Sequence, residues 1–325
     1  MKCPECGKNH RKREGMRCNC GYTFALSPLN GGGWTDGKFI AVVDRASANG
    51  TYAYTYDMLY ATYARRATKS HPGRVAFCGT VAAAVAICAT AMGGPAQLTA
   101  TAAGVAVVLF IMMCAALCRR APDRSALEQA VQVWTGARGK LKGSITESGL
   151  HEPPPQYAEA DIYDYGVERL FIVERRLLVD LFVRNGLHAQ ERALILSTDG
   201  YPEYLMPVAQ KILAESPELP VFFAHDAGSG SGTWPPVAMP WLDGHAQIDI
   251  GLQHEDVGRL ACLKFTRRPQ LALIPLDMIP YQTLTTMLSM AFTYRVPLSI
   301  LLDERAAKSQ GIPSSSSNGG DSHFG

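Results

Sequence analysis

Two stretches, 75–92 and 96–118, hold no charged residue, and this constrains the fold more than any other feature of the chain. A bilayer core of about 30 Å needs about 20 apolar residues in a helix. Both stretches are of that length, and Gly93-Gly94-Pro95 between them reads as a turn with no charge to carry across. The flanks are basic: Arg65, Arg66, Lys69 and Arg74 come before, and Arg119, Arg120 and Arg124 follow. A two-helix transmembrane hairpin at 75–118 is therefore expected. The positive-inside rule puts both of its ends, and so both termini, in the cytosol of a bacterial inner membrane. Small residues at Gly79, Ala82, Ala83 and Ala86 face Ala102, Ala103 and Gly104 and permit close helix contact. Neither span contains an ionisable group, which argues against transport or proton relay. A buried hairpin of a soluble protein is the alternative.

Nine cysteines divide into four in the first 20 residues, four within 75–118 and Cys262. This is not the spacing of a secreted disulfide framework. Cys3-x2-Cys6 and Cys18-x-Cys20 place two thiol pairs on short turns, each followed by a glycine, Gly7 or Gly21. Zinc takes four tetrahedral ligands, and two knuckles supply them with no position left open. Residues 1–26 thus read as a four-cysteine zinc ribbon with a structural metal held by Cys3, Cys6, Cys18 and Cys20. A stretch this short buries little core, so the metal would supply its folding energy. CPxCG…CxCGYxF resembles the ribbons found in many bacterial and ribosomal proteins. Lys8, Arg11, Lys12, Arg13 and Arg17 make its loop basic, suited to nucleic acid, anionic lipid or a protein partner. The formal net charge of +2 argues against a general nucleic-acid coat.

Residues 27–74 read as a linker (27–37) and a small, mainly helical module. Phe39, Val42 and Val43 form an apolar face there, and Thr55 caps a helix through Leu59 and Tyr63. Residues 119–160 read as a polar connector with a helical stretch around Leu127–Trp134. Residues 306–325 are low-complexity and read as disordered.

Residues 161–305 read as an α/β domain. Leu170–Val173 is an apolar, strand-like run ending at Glu174. A helix follows, then a second strand, Ala193–Ser197, running into Asp199-Gly200-Tyr201-Pro202. After another helix a third strand, Pro220–Ala224, ends at His225-Asp226. This is the βαβαβ order of a parallel sheet, with polar residues gathered at the strand C-termini. Residues 269–304 are apolar and proline-punctuated and are placed only loosely.

The order strand-Glu, strand-x-x-Gly-Tyr-Pro, strand-Asp over residues 167–265 resembles the Toprim domain of the topoisomerase VI catalytic subunit family. Ile248–Leu260 (IDIGLQHEDVGRL) is similar to the segment that follows the metal strand there. In that family a glutamate and a DxD pair hold magnesium, a cation that suits carboxylate oxygens. The resemblance puts Glu174 on the glutamate and Asp226 on the first aspartate, with Asp199 a further acid on the same edge. Gly228 stands where the second aspartate belongs, a departure that leaves two carboxylates able to hold one magnesium weakly and speaks against two-metal chemistry. Tyr60, with Tyr63 and Arg65-Arg66 after it, is the candidate for the family's nucleophilic tyrosine. No P-loop and no nucleophile elbow occur.

Three functions fit these expectations. One is a membrane-anchored binding or signalling protein with a degenerate Toprim-like domain. The second is a membrane-tethered, magnesium-dependent nuclease or phosphoryl-transfer effector. The third is a structural partner in a membrane complex. The expected partners are membrane lipid and a protein partner or a second copy, with nucleic acid at the basic loop.

Overall fold

The structure is a computed structural model. It describes residues 1–11, 14–27, 33–68, 122–153, 166–228, 239–253, 257, 260–266 and 273–302. The 75–118 hairpin and the 306–325 tail expected from sequence lie outside the described residues. Among the described residues, no helix is long and apolar enough to cross a membrane. The chain divides into two compact units, one of residues 1–62 with 124–325 and one of residues 63–123. The account below concerns the first.

A parallel four-stranded sheet forms its centre, in the order β4-β3-β5-β6. The strands are β3 (Arg169–Val173), β4 (Ala193–Ser197), β5 (Val221–Ala224) and β6 (Gln247–Asp249). β3, β4 and β5 are apolar and buried almost throughout, as strands covered on both faces must be. Leu170 and Ile172 of β3 pack with Leu194 and Leu196 and with Val221 and Phe223. Leu205, Ala209, Leu213 and Leu242 join the same cluster. On the opposite face Phe171 and Phe222 meet Phe292, at 5.2 and 5.0 Å between ring centroids. The covering helices are α4 (Arg176–Arg184) and α6 (Met206–Glu215) in the crossovers and α7 (Tyr281–Tyr294) from the proline-rich region. The short helices α5 (Leu187–Gln190) and α8 (Leu298–Leu302) complete that part. The α/β character with a parallel sheet is as the sequence indicates. The gain over the sequence reading lies in 273–302, which holds a bridge from Ile274 to Ala227, a 3-10 turn at Leu276–Met278 and α7.

The upstream segments join the same unit. They comprise α1 (Asp36–Ala46), β1 (Tyr54–Thr55), the part of α2 (Tyr56–Thr68) as far as residue 62, α3 (Arg124–Arg138) and β2 (Ser144–Ile145). β1 and β2 pair in parallel. The Asn185 side chain, just past α4, accepts from Ala53 N–H at 2.7 Å and donates to its carbonyl at 3.0 Å. Thr55 Oγ1 accepts from Met58 N–H at 3.3 Å, the capping contact that its place before α2 implies. The segment read as a linker ends in structure: Trp34 is buried, Thr35 caps α1, and Asp36 is fully buried.

Candidate functional site

Two groups of ligand-type side chains stand out, one at the N-terminus and one at the C-terminal edge of the sheet. In the first, Cys3 N–H bonds to the Lys8 carbonyl and Gly7 N–H to that of Cys3. The second pair repeats this with Cys18, Tyr22 and Gly21. Gly7 and Gly21 have φ of 69° and 96°, the left-handed turn that glycine adopts without penalty. The two knuckles bring all four sulfurs within 4.8 Å of one another. Cys3 and Cys20 are 3.6 Å apart, and Cys6 and Cys18 are 3.7 Å apart. Sulfurs at about 2.3 Å from a tetrahedral ion lie ~3.8 Å from each other. The cluster is therefore of a size to hold a metal ion such as zinc.

Its electrostatics fit that use. Burial resists ionisation of Cys3, but the amides of Cys6 and Glu5 outweigh it, and the thiol falls to about 7. The Tyr22 amide favours the Cys20 thiolate, yet burial and the neighbouring sulfurs prevail and push it up to about 12. Four packed sulfurs cannot all ionise unless a cation joins them. Beneath them, Tyr22, Phe24 and Met1 form a small core with Cys3 and Cys18. Asp36 fastens this core to α1. Its carboxylate accepts from Tyr22 Oη–H at 2.7 Å, Ala25 N–H at 2.9 Å and Leu26 N–H at 2.7 Å. Arg138 of α3 lies 4.6 Å over the Tyr22 ring and donates to the Thr23 carbonyl.

The second group lies where β3, β4 and β5 end. Glu174 follows β3, Asp199 follows β4 and Asp226 follows β5, so the three acids share one sheet edge. They do not converge as one ligand set. Asp226 is buried, and its Oδ2 lies 2.7 Å from Arg175 Nε, while its Oδ1 accepts from Leu276 N–H at 2.7 Å. Arg175 Nη2 also donates to Asp277 Oδ1 at 2.5 Å, and Asp277 is fully buried. Glu174, half-buried, accepts from the backbone N–H of Asp226 at 2.9 Å. Asp199 is exposed and paired with Arg176 Nε at 2.5 Å and with the Ser197 hydroxyl. His225 donates from one ring nitrogen to the Asp226 carbonyl at 2.9 Å and lies 3.3 Å from Asp249 by the other.

These partners set the charges. Burial works against the Arg175 guanidinium, but Asp277 first and Asp226 next more than compensate and raise its pKa. Asp226 is pushed up to about 6, chiefly by burial, with Arg175 and the Leu276 amide opposing. Burial raises Asp199, yet Ser197 and Arg176 outweigh it and its pKa falls.

No family model, curated protein or solved structure matches the chain.

Gly228 has a φ of 98°, a backbone conformation that an aspartate adopts only with strain. The turn after β5 is thus shaped for glycine and not for a third acid. Tyr201 of the Gly-Tyr-Pro run is buried, with its hydroxyl donating to the buried Asp180 at 2.7 Å and accepting from Leu150 N–H. Tyr60 is buried under the Arg124 guanidinium, 4.8 Å from its ring centroid. Asp277, Thr55 and Asp57, which complete the Arg175 cluster, were not legible as site residues. Asp277 sits in a 3-10 turn after Pro275, with no periodic pattern to mark it.

Proposed function

We propose that this chain is a membrane-anchored binding or signalling protein of the bacterial inner membrane, with both termini cytosolic. A structural zinc in the four-cysteine ribbon holds its N-terminus together. Its α/β part acts as a recognition module for a protein partner or a second copy, in the manner of a Toprim-like domain that has lost catalysis. The membrane part of the reading is supported by the charge-free stretches 75–92 and 96–118 and their basic flanks.

The observation that carries the non-catalytic part is the position of Arg175. Magnesium chemistry at a sheet edge needs carboxylates free to meet a hydrated cation. Here a guanidinium from the chain itself lies 2.7 Å from Asp226 and 2.5 Å from Asp277. Glu174 is engaged with a backbone amide, and Asp199 is paired with Arg176. The alternative, a magnesium-dependent nuclease or phosphoryl-transfer effector, would require Arg175 to leave two buried carboxylates.

A nuclease assay on the purified full chain tests this choice, using supercoiled DNA and single-stranded RNA with millimolar magnesium or manganese. No cleavage above an Asp226→Asn control is expected. Metal-dependent cleavage that Asp226→Asn abolishes would overturn the reading in favour of the enzyme.

A further inference from the structure

Residues 69–121 are bracketed in sequence by α2 and α3, and the Asp57 carboxylate joins those helices to the sheet edge. Asp57 lies in the first turn of α2, and Arg124 opens α3. The Arg124 guanidinium bonds Asp57 Oδ1 and lies over the rings of Tyr60 and Tyr56, at 4.8 and 5.8 Å. Tyr56 Oη–H donates back to the Arg124 carbonyl at 3.2 Å. The other Asp57 oxygen lies 3.8 Å from Nη1 of Arg175. Arg175 holds Asp226 and Asp277, and the second oxygen of Asp277 accepts from Thr55 Oγ1–H, on the residue just before α2. The path is closed: Arg124, Asp57, Arg175, Asp277, Thr55 and back into α2.

The charges make this path responsive. Asp57, Asp226 and Asp277 share two guanidiniums, and all five groups are at least half-buried, where charge pairs are weakly screened. If Arg124 is withdrawn, Asp57 keeps one cationic neighbour among the described residues, Arg175, and competes for it with Asp226 and Asp277. The two buried carboxylates then lose part of their compensation. The segment anchored on Asp226 through Leu276 N–H is the first to loosen.

We propose that these five side chains form a relay in which the Arg124–Asp57 pairing sets how firmly Arg175 holds the sheet edge. A change in how the chain leaves α2 and returns through α3 then reaches residues 274–278 without passing through the sheet. For a protein that signals from a membrane anchor, this is the regulation of its recognition module. The relay rests on Arg175 being the fixed cation of that edge. It makes no demand on metal binding, so the nuclease assay and the test below can fail separately.

Hydrogen exchange on the full chain reads the relay directly, with the Leu276 amide as reporter and the β4 amides of Ile195 and Leu196 as reference. Arg124→Met should speed exchange at Leu276 by about tenfold, the scale of one lost charge-assisted contact, and leave β4 unchanged. Arg124→Lys gives up the guanidinium stacking over Tyr56 and Tyr60 but keeps the positive charge beside Asp57, and should hold Leu276 within about twofold of the parent. No change at Leu276 in Arg124→Met would overturn the relay. Equal acceleration in β4 would do so as well, because Arg124 would then support the unit as a whole. A Lys variant as loose as the Met variant would assign the effect to packing over Tyr56 and Tyr60, and would also overturn it.

Discussion

The N-terminal thiols and the sheet-edge carboxylates are both clusters of anionic ligands, and they solve the same electrostatic problem in opposite ways. Among the described residues, the four sulfurs meet one another, backbone amides and Glu5. The described basic residues of that loop, Lys8, Arg11 and Arg17, are exposed. At the sheet edge, each buried or half-buried acid has an internal donor: Arg175 for Asp226 and Asp277, and a backbone amide for Glu174. A cluster with no cation among its described neighbours is poised for one from outside. A cluster that already has one is closed. Ligand-type residues gathered at one place therefore identify a metal site only when the chain has left the charge uncompensated.

The largest effect expected from this contrast follows metal removal at the ribbon. Structural zinc contributes on the order of 10 kcal/mol to small Cys-rich folds. Cys3→Ser with Cys18→Ser, or treatment with a strong chelator, should make residues 1–26 protease-sensitive while β3–β5 stay protected. An N-terminus that resists protease after both treatments would remove the ribbon from the comparison.

Arg175→Met comes next. It strands Asp226 and Asp277, and breaking a buried pair from one side costs about 3–5 kcal/mol. Chemical denaturation should show a loss of that size, partly restored when Asp277→Asn is added. A loss below ~1 kcal/mol would mean that Arg175 is not the cation that closes the edge.

Asp36→Ala should cost about 2–3 kcal/mol, because two backbone amides and the Tyr22 hydroxyl lose one charged acceptor. It tests whether the ribbon depends on α1 as well as on its metal. Zinc content should be retained while the melting temperature falls.

Asp226 titrates at about 6 in the folded chain against 3.8 for the free side chain, so the folded state holds its proton more tightly. Its contribution to stability is complete below about 3.8 and is lost as the pH rises through 6. Stability of the parent relative to Asp226→Asn should therefore decline between about pH 4 and 6 and level off above. Paired denaturation curves across that range would show a rise instead if Arg175 had drawn Asp226 down.

The smallest change is expected from Asp199→Ala, which removes an exposed pair with Arg176 and should cost under ~1 kcal/mol.

Much of the frame was legible because it is written in continuous runs. Leu170–Val173, Ala193–Ser197 and Val221–Ala224 are short apolar runs of strand length, and the βαβαβ succession of a parallel sheet followed from them, whereas their spatial order did not. The knuckles were legible from Cys spacing and the glycine after each pair. Compensation was not. Asp226 and Asp277 are 51 residues apart, and nothing in the local sequence around Arg175 marks it as the cation that binds both. Asp36 fell in a stretch read as linker because Gly31-Gly32-Gly33 before it breaks periodicity, and its burial depends on tertiary contacts with Tyr22, Ala25 and Leu26. Pairing between distant residues leaves no local pattern, and at this sheet edge pairing decides the chemistry.

Elemental analysis of the full chain, purified without chelator and then equilibrated with excess manganese and desalted, tests the contrast most directly. The expected result is one zinc per chain, dependent on Cys3 and Cys18, with no retained manganese. Manganese retained by the parent and lost in Asp226→Asn would contradict it, since Arg175 would then have yielded its place to a metal.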